Sequence, residues 1–402
     1  MIRSFSLVAA MFVIAACSDS LAPRRTPDPR TPPQKADAPN AQEIFQRYVA
    51  LGTSNSMGVQ SAGIFAGGQR AAWPAQLASR VGATFPLPLV EDPGCGPPLL
   101  PPLSADAALV GIFGNGFIGV VMNFCTPLRA GVVLPTGNVA ISGADVHDAL
   151  YSTVESEAAA SPRKGELYSR VLPPGYTQVT AMMSVHPTFV SVELAANDVL
   201  PASTGRASAM TPYADWERDF DQVVDSVRVT GARAVLVGLP NDAANFPSVR
   251  RAREFFNQWP YLLPLGVSVS LSCYFSSNYV FVPGYVLTLV SKTPTTATCA
   301  DVPGAADYVI TPSDMAAINA RMAQINAHIQ AKANENGWAY FSLDALYGLP
   351  KIKFNLGDVL FSSAPFGPYI SLDGVHPSTT GQSILADAAV QAINARYGVT
   401  IP

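Results

Sequence analysis

The run Arg47-Tyr48-Val49-Ala50-Leu51-Gly52-Thr53-Ser54-Asn55-Ser56-Met57-Gly58 decides how the rest of the chain is read. Its first five residues are β-prone, and the Gly/Ser/Asn cluster after them is a turn. A strand running into such a turn leaves a serine at the C-terminal edge of a sheet, where α/β proteins carry their chemistry. The pattern recurs. Asn138-Val139-Ala140-Ile141-Ser142-Gly143-Ala144 reads as a strand ending in glycine, with a helix-compatible run from Asp145. Residues 189–194 are strand-like and lead into Ala195-Ala196-Asn197-Asp198, which suits a helix N-cap. Residues 234–240 read as a buried strand and 338–343 as another.

Helical patterns lie between these runs. Residues 69–80 are helix-compatible, interrupted by Pro74. In 213–229, Trp216, Phe220, Val223, Val224 and Val227 form an apolar stripe at helical spacing. Thr311-Pro312-Ser313-Asp314 opens a further helix, with Ile318, Met322, Ile325 and Ile329 on one face and Gly337 to stop it. The alternation predicts a three-layer α/β/α domain with a mainly parallel sheet.

Asp373-Gly374-Val375-His376-Pro377 precedes the last helix-forming run, 379–396. Of the four histidines, His147, His186, His328 and His376, only His376 has a carboxylate three residues before it. A carboxylate so placed fixes the tautomer of a histidine and supports its charged form, leaving a general base for a nucleophile. His147 falls on a helix, and His328 sits beside an apolar stripe as a structural residue.

Taken in order, Tyr-Val-Ala-Leu-Gly-Thr-Ser-Asn-Ser, the Gly143 block, Ala195-Ala196-Asn197-Asp198 and Asp373–His376 resemble the four blocks of the SGNH (GDSL) serine hydrolases. The resemblance spans most of 48–396. It implies a flavodoxin-like α/β/α fold with loop and β insertions. It also implies a triad of Ser54, His376 and Asp373, and an oxyanion hole of the Ser54 and Gly143 N–H groups with the Asn197 amide. No metal or organic cofactor is implied. Thr53 stands where the family has Asp, removing a carboxylate that orders the turn, and Ala195 stands where Gly is usual. Ser56 is the fallback nucleophile. The implied substrate is a small-molecule or lipid ester. A sugar-bound acetyl group is the alternative, as is a binding lipoprotein that kept the fold and lost turnover.

At 402 residues the chain has room for one large domain with insertions. Hydrophobic residues make up 49% and charged residues 13%, so a sizeable core is available. A net charge of −4 leaves no footprint for nucleic acid. Residues 1–16 read as an export signal: Arg3, then an apolar run too short to span a bilayer. Ile14-Ala15-Ala16-Cys17 resembles a lipobox, which implies lipidation at Cys17, a membrane anchor outside the cytoplasm, and with Ser18 an outer-membrane address. Residues 17–42 form a Pro-rich tether, and 43–402 the hydrolase domain, with insertions at about 85–130 and 255–310. The apolar run 107–124 reads as one or two strands, with a transport role as a third reading. Four cysteines remain, and proximity favours Cys95–Cys125 and Cys273–Cys299. The absence of C-x-x-C spacing argues against a metal site.

Overall fold

The computed structural model describes residues 40–96, 125–362 and 364–402. The proposed export signal, Cys17, the tether up to residue 39 and the 107–124 run lie outside the described residues.

Four strands form the central sheet: β1 (Tyr48–Gly52), β2 (Phe189–Glu193), β3 (Arg233–Gly238) and β9 (Ala339–Ser342). They lie in the order β1-β2-β3-β9, and every pair is parallel. Residues 137–141 run along the free edge of β1. Ala50 N–H donates to Gly137 O (2.8 Å), Val139 N–H to Ala50 O (2.9 Å) and Ile141 N–H to Gly52 O (3.0 Å). With this edge counted, chain order across the sheet is 2-1-3-4-5, the flavodoxin-like order. The expected strand at 138–144 is thus a single parallel bridge at Asn138 rather than a ladder. The reason is Gln178, fully buried, whose amide donates to both Gly52 O (2.9 Å) and Val139 O (2.8 Å). It takes the carbonyl that the next ladder bond from β1 would need. On the outer side, Ala140 N–H donates to Asn138 Oδ1 (3.1 Å), and Thr136 Oγ1 donates to Asn138 O (3.0 Å). Side chains thereby close an otherwise unpaired sheet edge.

The strands are buried on both faces. Val49, Leu51, Val190, Val192, Ala234 and Leu236 point into one core, with the helices Tyr213–Val229 and Pro312–Asn336. Tyr48, Ala50, Phe189, Val235, Val237 and Phe341 point into the other, with helices Trp73–Val81 and Thr379–Tyr397. This period-two division makes the three layers. The Trp216, Phe220, Val223, Val224 and Val227 stripe is buried, and Thr311 caps its helix through Asp314 N–H. Around Pro74 the chain restarts rather than kinks: one helix ends at Ala71 and the next begins at Trp73, with Pro74 in its first turn. Proline is tolerated there because the first-turn N–H groups have no helical partner.

Further strands lie between β3 and β9 in the chain, the first of them ahead of residue 255. Strands β4 (Val249–Arg251), β6 (Tyr279–Phe281) and β8 (Val309–Ile310) form an antiparallel sheet ordered β4-β6-β8. Strands β5 (Val267–Val269) and β7 (Thr295–Ala297) pair in parallel beside it. Both disulfides favoured by proximity are present, Cys95–Cys125 and Cys273–Cys299. The second closes a separation of 26 residues within the insertion. Replacing both of its cysteines by alanine is expected to lower stability by about 3 kcal/mol. Urea unfolding of wild type and variant, with and without reductant, measures this: reductant should destabilise the wild type further than it does the variant.

Candidate active site

The turn after β1 is held from below by a carboxylate of the neighbouring strand. Glu193, the last residue of β2, is buried. Its Oε2 accepts from Thr53 N–H (3.2 Å), Ser56 N–H (3.2 Å) and Ser56 Oγ (3.0 Å). The Thr53 hydroxyl lies 2.9 and 3.0 Å from Oε1 and Oε2. Burial pushes the Glu193 carboxyl above its ordinary range, while the donors from Thr53 and Ser56 pull it back. Two expectations change here. The carboxylate missing at position 53 is replaced by one arriving from β2, with Thr53 as its donor. Ser56 is fully buried and its hydroxyl is committed to Glu193, so it is not available as a fallback nucleophile. Gly52 is required: a Cβ there would lie 2.7 Å from Ser56 Oγ. Ser54 opens the helical turn Ser54–Met57, where its N–H has no intrahelical partner.

A second buried carboxylate holds the histidine. Asp373 is 1% exposed. Its Oδ1 accepts from the N–H groups of Val375 (3.0 Å) and His376 (2.9 Å) and from Ser371 Oγ (3.1 Å). Its Oδ2 lies 2.8 Å from His376 Nδ1 and accepts from Ala62 N–H at 2.8 Å. Burial alone would raise the Asp373 pKa, but His376 and these donors together hold it below the ordinary range. With Nδ1 facing the carboxylate, Nε2 is the basic nitrogen. The turn that reaches Asp373 is strained: Ser61 and Ala62 both have positive φ, 51° and 60°. The Tyr347 hydroxyl donates to Val375 O (2.7 Å) and fixes the loop from another side.

Ser54, Asn197 and His376 line one cavity, open to solvent on one side. Its other walls are mostly apolar, including Leu200, Leu239, Phe246 and Val375. Asn197 Nδ2 donates to Ala144 O (2.7 Å), which leaves one of its two amide hydrogens for the cavity. Gly143 occupies the adjoining exposed turn with φ 83°, and the cavity lining does not include it. Ala195 has φ 146°, a conformation that favours glycine, so the departure from glycine is met by local strain. His147 is exposed on its helix and pairs with Asp219 (2.9 Å). His328 pairs with Asp221 (2.8 Å) and packs against Trp216. Neither lines the cavity.

The solved structures that this chain matches include a phospholipase A1 from Streptomyces albidoflavus NA297, at 15% identity and TM-score 0.37, covering 88% of this chain and 99% of that one. An extracellular lipase from Streptomyces rimosus matches at 16% identity and TM-score 0.36, covering 87% and 98%. An acetylxylan esterase from Geobacillus stearothermophilus matches at 10% identity and TM-score 0.35, covering 88% and 95%. A protein from Slackia heliotrinireducens described as an SGNH hydrolase matches at 12% identity and TM-score 0.33, covering 87% and 99%. No protein-family model and no curated protein matches the sequence.

Glu193 was the residue that pattern reading missed. The available signal was a carboxylate inside a strand buried at every position, which demands partners. Thr53→Val removes the hydroxyl donor without changing side-chain shape. It is expected to cost about 1–2 kcal/mol, with Thr53→Ser near wild type, in denaturant unfolding.

Asp198, beside Asn197, is buried, and its carboxyl is pushed up to about 7. Burial is the main cause and Asp145 adds repulsion, against bonds from Thr211 and the Val146 N–H. A raised folded-state pKa means that its contribution is full below the unfolded value and is lost as pH rises through about 7. The melting temperature of wild type, relative to Asp198→Asn, should fall between about pH 4 and about pH 7. A pH-independent difference would contradict the assignment.

Proposed function

We propose that the protein is a carboxylic ester hydrolase with Ser54 as nucleophile, His376 as general base and Asp373 as the group that orients His376. One observation carries this reading: Ser54, Asn197 and His376 share a cavity, and a buried carboxylate fixes the tautomer of that histidine. His376 Nε2 takes the proton of the Ser54 hydroxyl as Oγ attacks the ester carbonyl. The tetrahedral oxyanion is met by the Ser54 N–H and the Asn197 amide, with Gly143 N–H as the further donor named by the sequence resemblance. His376 then protonates the departing alcohol, leaving acyl-Ser54. Water, deprotonated by His376, attacks that ester, and the acid leaves as the proton returns to Ser54. An apolar cavity wall favours an acyl ester over an acetylated sugar. The two disulfides suit an oxidising compartment, consistent with export and a lipid anchor at Cys17.

A fluorophosphonate probe is expected to label Ser54, with label lost in Ser54→Ala and His376→Ala. Turnover of an activated ester should fall about 10⁴-fold in Asp373→Asn and about 10²–10³-fold in Asn197→Ala. A folded wild-type protein that takes no label would overturn the reading in favour of a binding lipoprotein.

A further inference from the structure

The small antiparallel sheet of the insertion contributes one side chain per strand to the cavity: Val249 from β4, Phe281 from β6 and Ile310 from β8. Register puts all three on one face. Val249 pairs directly with Phe281, and Ile310 pairs with Tyr279, two residues from Phe281 on the same strand. The opposite face carries Val280 and Val309, which pack into the other core. The sheet is therefore a partition between the two cores, and its Val249–Phe281–Ile310 face also borders the cavity of Ser54 and His376.

That end of the cavity is apolar. Val249, Phe281 and Ile310 are 5%, 2% and 2% exposed, and Ile318 and Met322 of helix Pro312–Asn336 border the same space at 3% and 2%. None of these five side chains can hydrogen-bond a water strongly, whereas a hydrocarbon chain would gain contact with all of them. The partition is also tied to the segment that follows Asn197. Tyr308 N–H donates to Thr204 O (2.9 Å), and Gly205 approaches β8 so closely that a Cβ would lie 2.6 Å from Val309 O.

We propose that the β4-β6-β8 sheet gauges the acyl chain of the substrate, with Phe281 and Ile310 setting the longest chain accepted. This rests on the reading of Ser54 as an ester-cleaving nucleophile. It adds that the substrate class is an ester of an unbranched aliphatic acid, whose chain runs from Ser54 toward β6 and β8. The insertion, rather than the parallel sheet, then sets specificity.

The test is a series of p-nitrophenyl esters from acetyl to palmitoyl, assayed on wild type, Phe281→Ala, Ile310→Ala and Val249→Phe. In wild type, kcat/KM should rise about fourfold per methylene until the chain reaches the partition, then fall. Phe281→Ala and Ile310→Ala should move the maximum to longer chains, and Val249→Phe to shorter ones. A wild-type preference for acetyl, or an unmoved maximum in all three variants, would overturn the gauge. Binding of the saturated fatty-acid series to Ser54→Ala, followed by calorimetry, reads the cavity without turnover. Chain-length-dependent binding that shifts with Phe281→Leu in a protein that takes no fluorophosphonate label would leave an acyl-binding cavity and overturn the gauge as a determinant of ester cleavage. Labelled wild type whose Ser54→Ala form binds no fatty acid overturns the gauge and leaves the esterase reading standing. Phe281→Leu also serves if Phe281→Ala does not fold.

Discussion

A buried carboxylate must be surrounded by donors, and the turn that carries Ser54 supplies them to Glu193. That mutual need is the constraint on which the site depends. It binds the end of β2 to the end of β1 across 140 residues of chain. It also fixes where the turn that carries Ser54 leaves the sheet. β1 lies between β2 and the 137–141 edge, so this turn stands at the point where strand order reverses, and a crevice opens there. Asp373 repeats the device at the other end of the chain. Its carboxylate gathers its own loop and reaches Ala62 across 311 residues. Ser54 and His376 thus each stand beside a buried carboxyl group ringed by donors.

The arrangement distributes rigidity and strain unevenly. Ser61, Ala62 and Ala195 hold positive φ without being glycine, and all three lie beside the elements that carry His376 or Asn197. Such strain persists only where surrounding bonds over-determine the backbone. Here the bonds are to Ser371, Asp373 and Ala144. The parallel sheet, by contrast, buries mostly apolar side chains on both faces, with Ser191 and Glu193 of β2 as exceptions. It provides position, and the loops at its edge provide chemistry.

Much of the layered architecture was legible because it rests on periodicity. The Trp216–Val227 stripe, the Thr311 cap and the Gly337 stop are local statements, and local physics enforces them. The favoured cysteine pairings followed from short loops. Two readings failed for non-local reasons. The 138–144 strand is curtailed by Gln178, a side chain from a helix 39 residues beyond Val139. Thr53 read as a lost carboxylate because its replacement comes from another strand. The cavity's apolar end was equally invisible, since Val249, Phe281 and Ile310 look like ordinary strand residues and become a wall only when three strands align.

By itself, then, the sequence determined the alternation of strands and helices, the Asp373–His376 spacing and the serine at the end of β1. Each depends on neighbours within a few residues, and short-range sterics and hydrogen bonding are written in order along the chain. Tertiary structure alone decided that Glu193 supports the turn that carries Ser54, that Ser56 is spent on Glu193, and that the β4-β6-β8 sheet borders the cavity. Those outcomes depend on which buried groups meet after the chain has folded. A buried polar group must find a partner wherever the fold brings one, however distant in sequence.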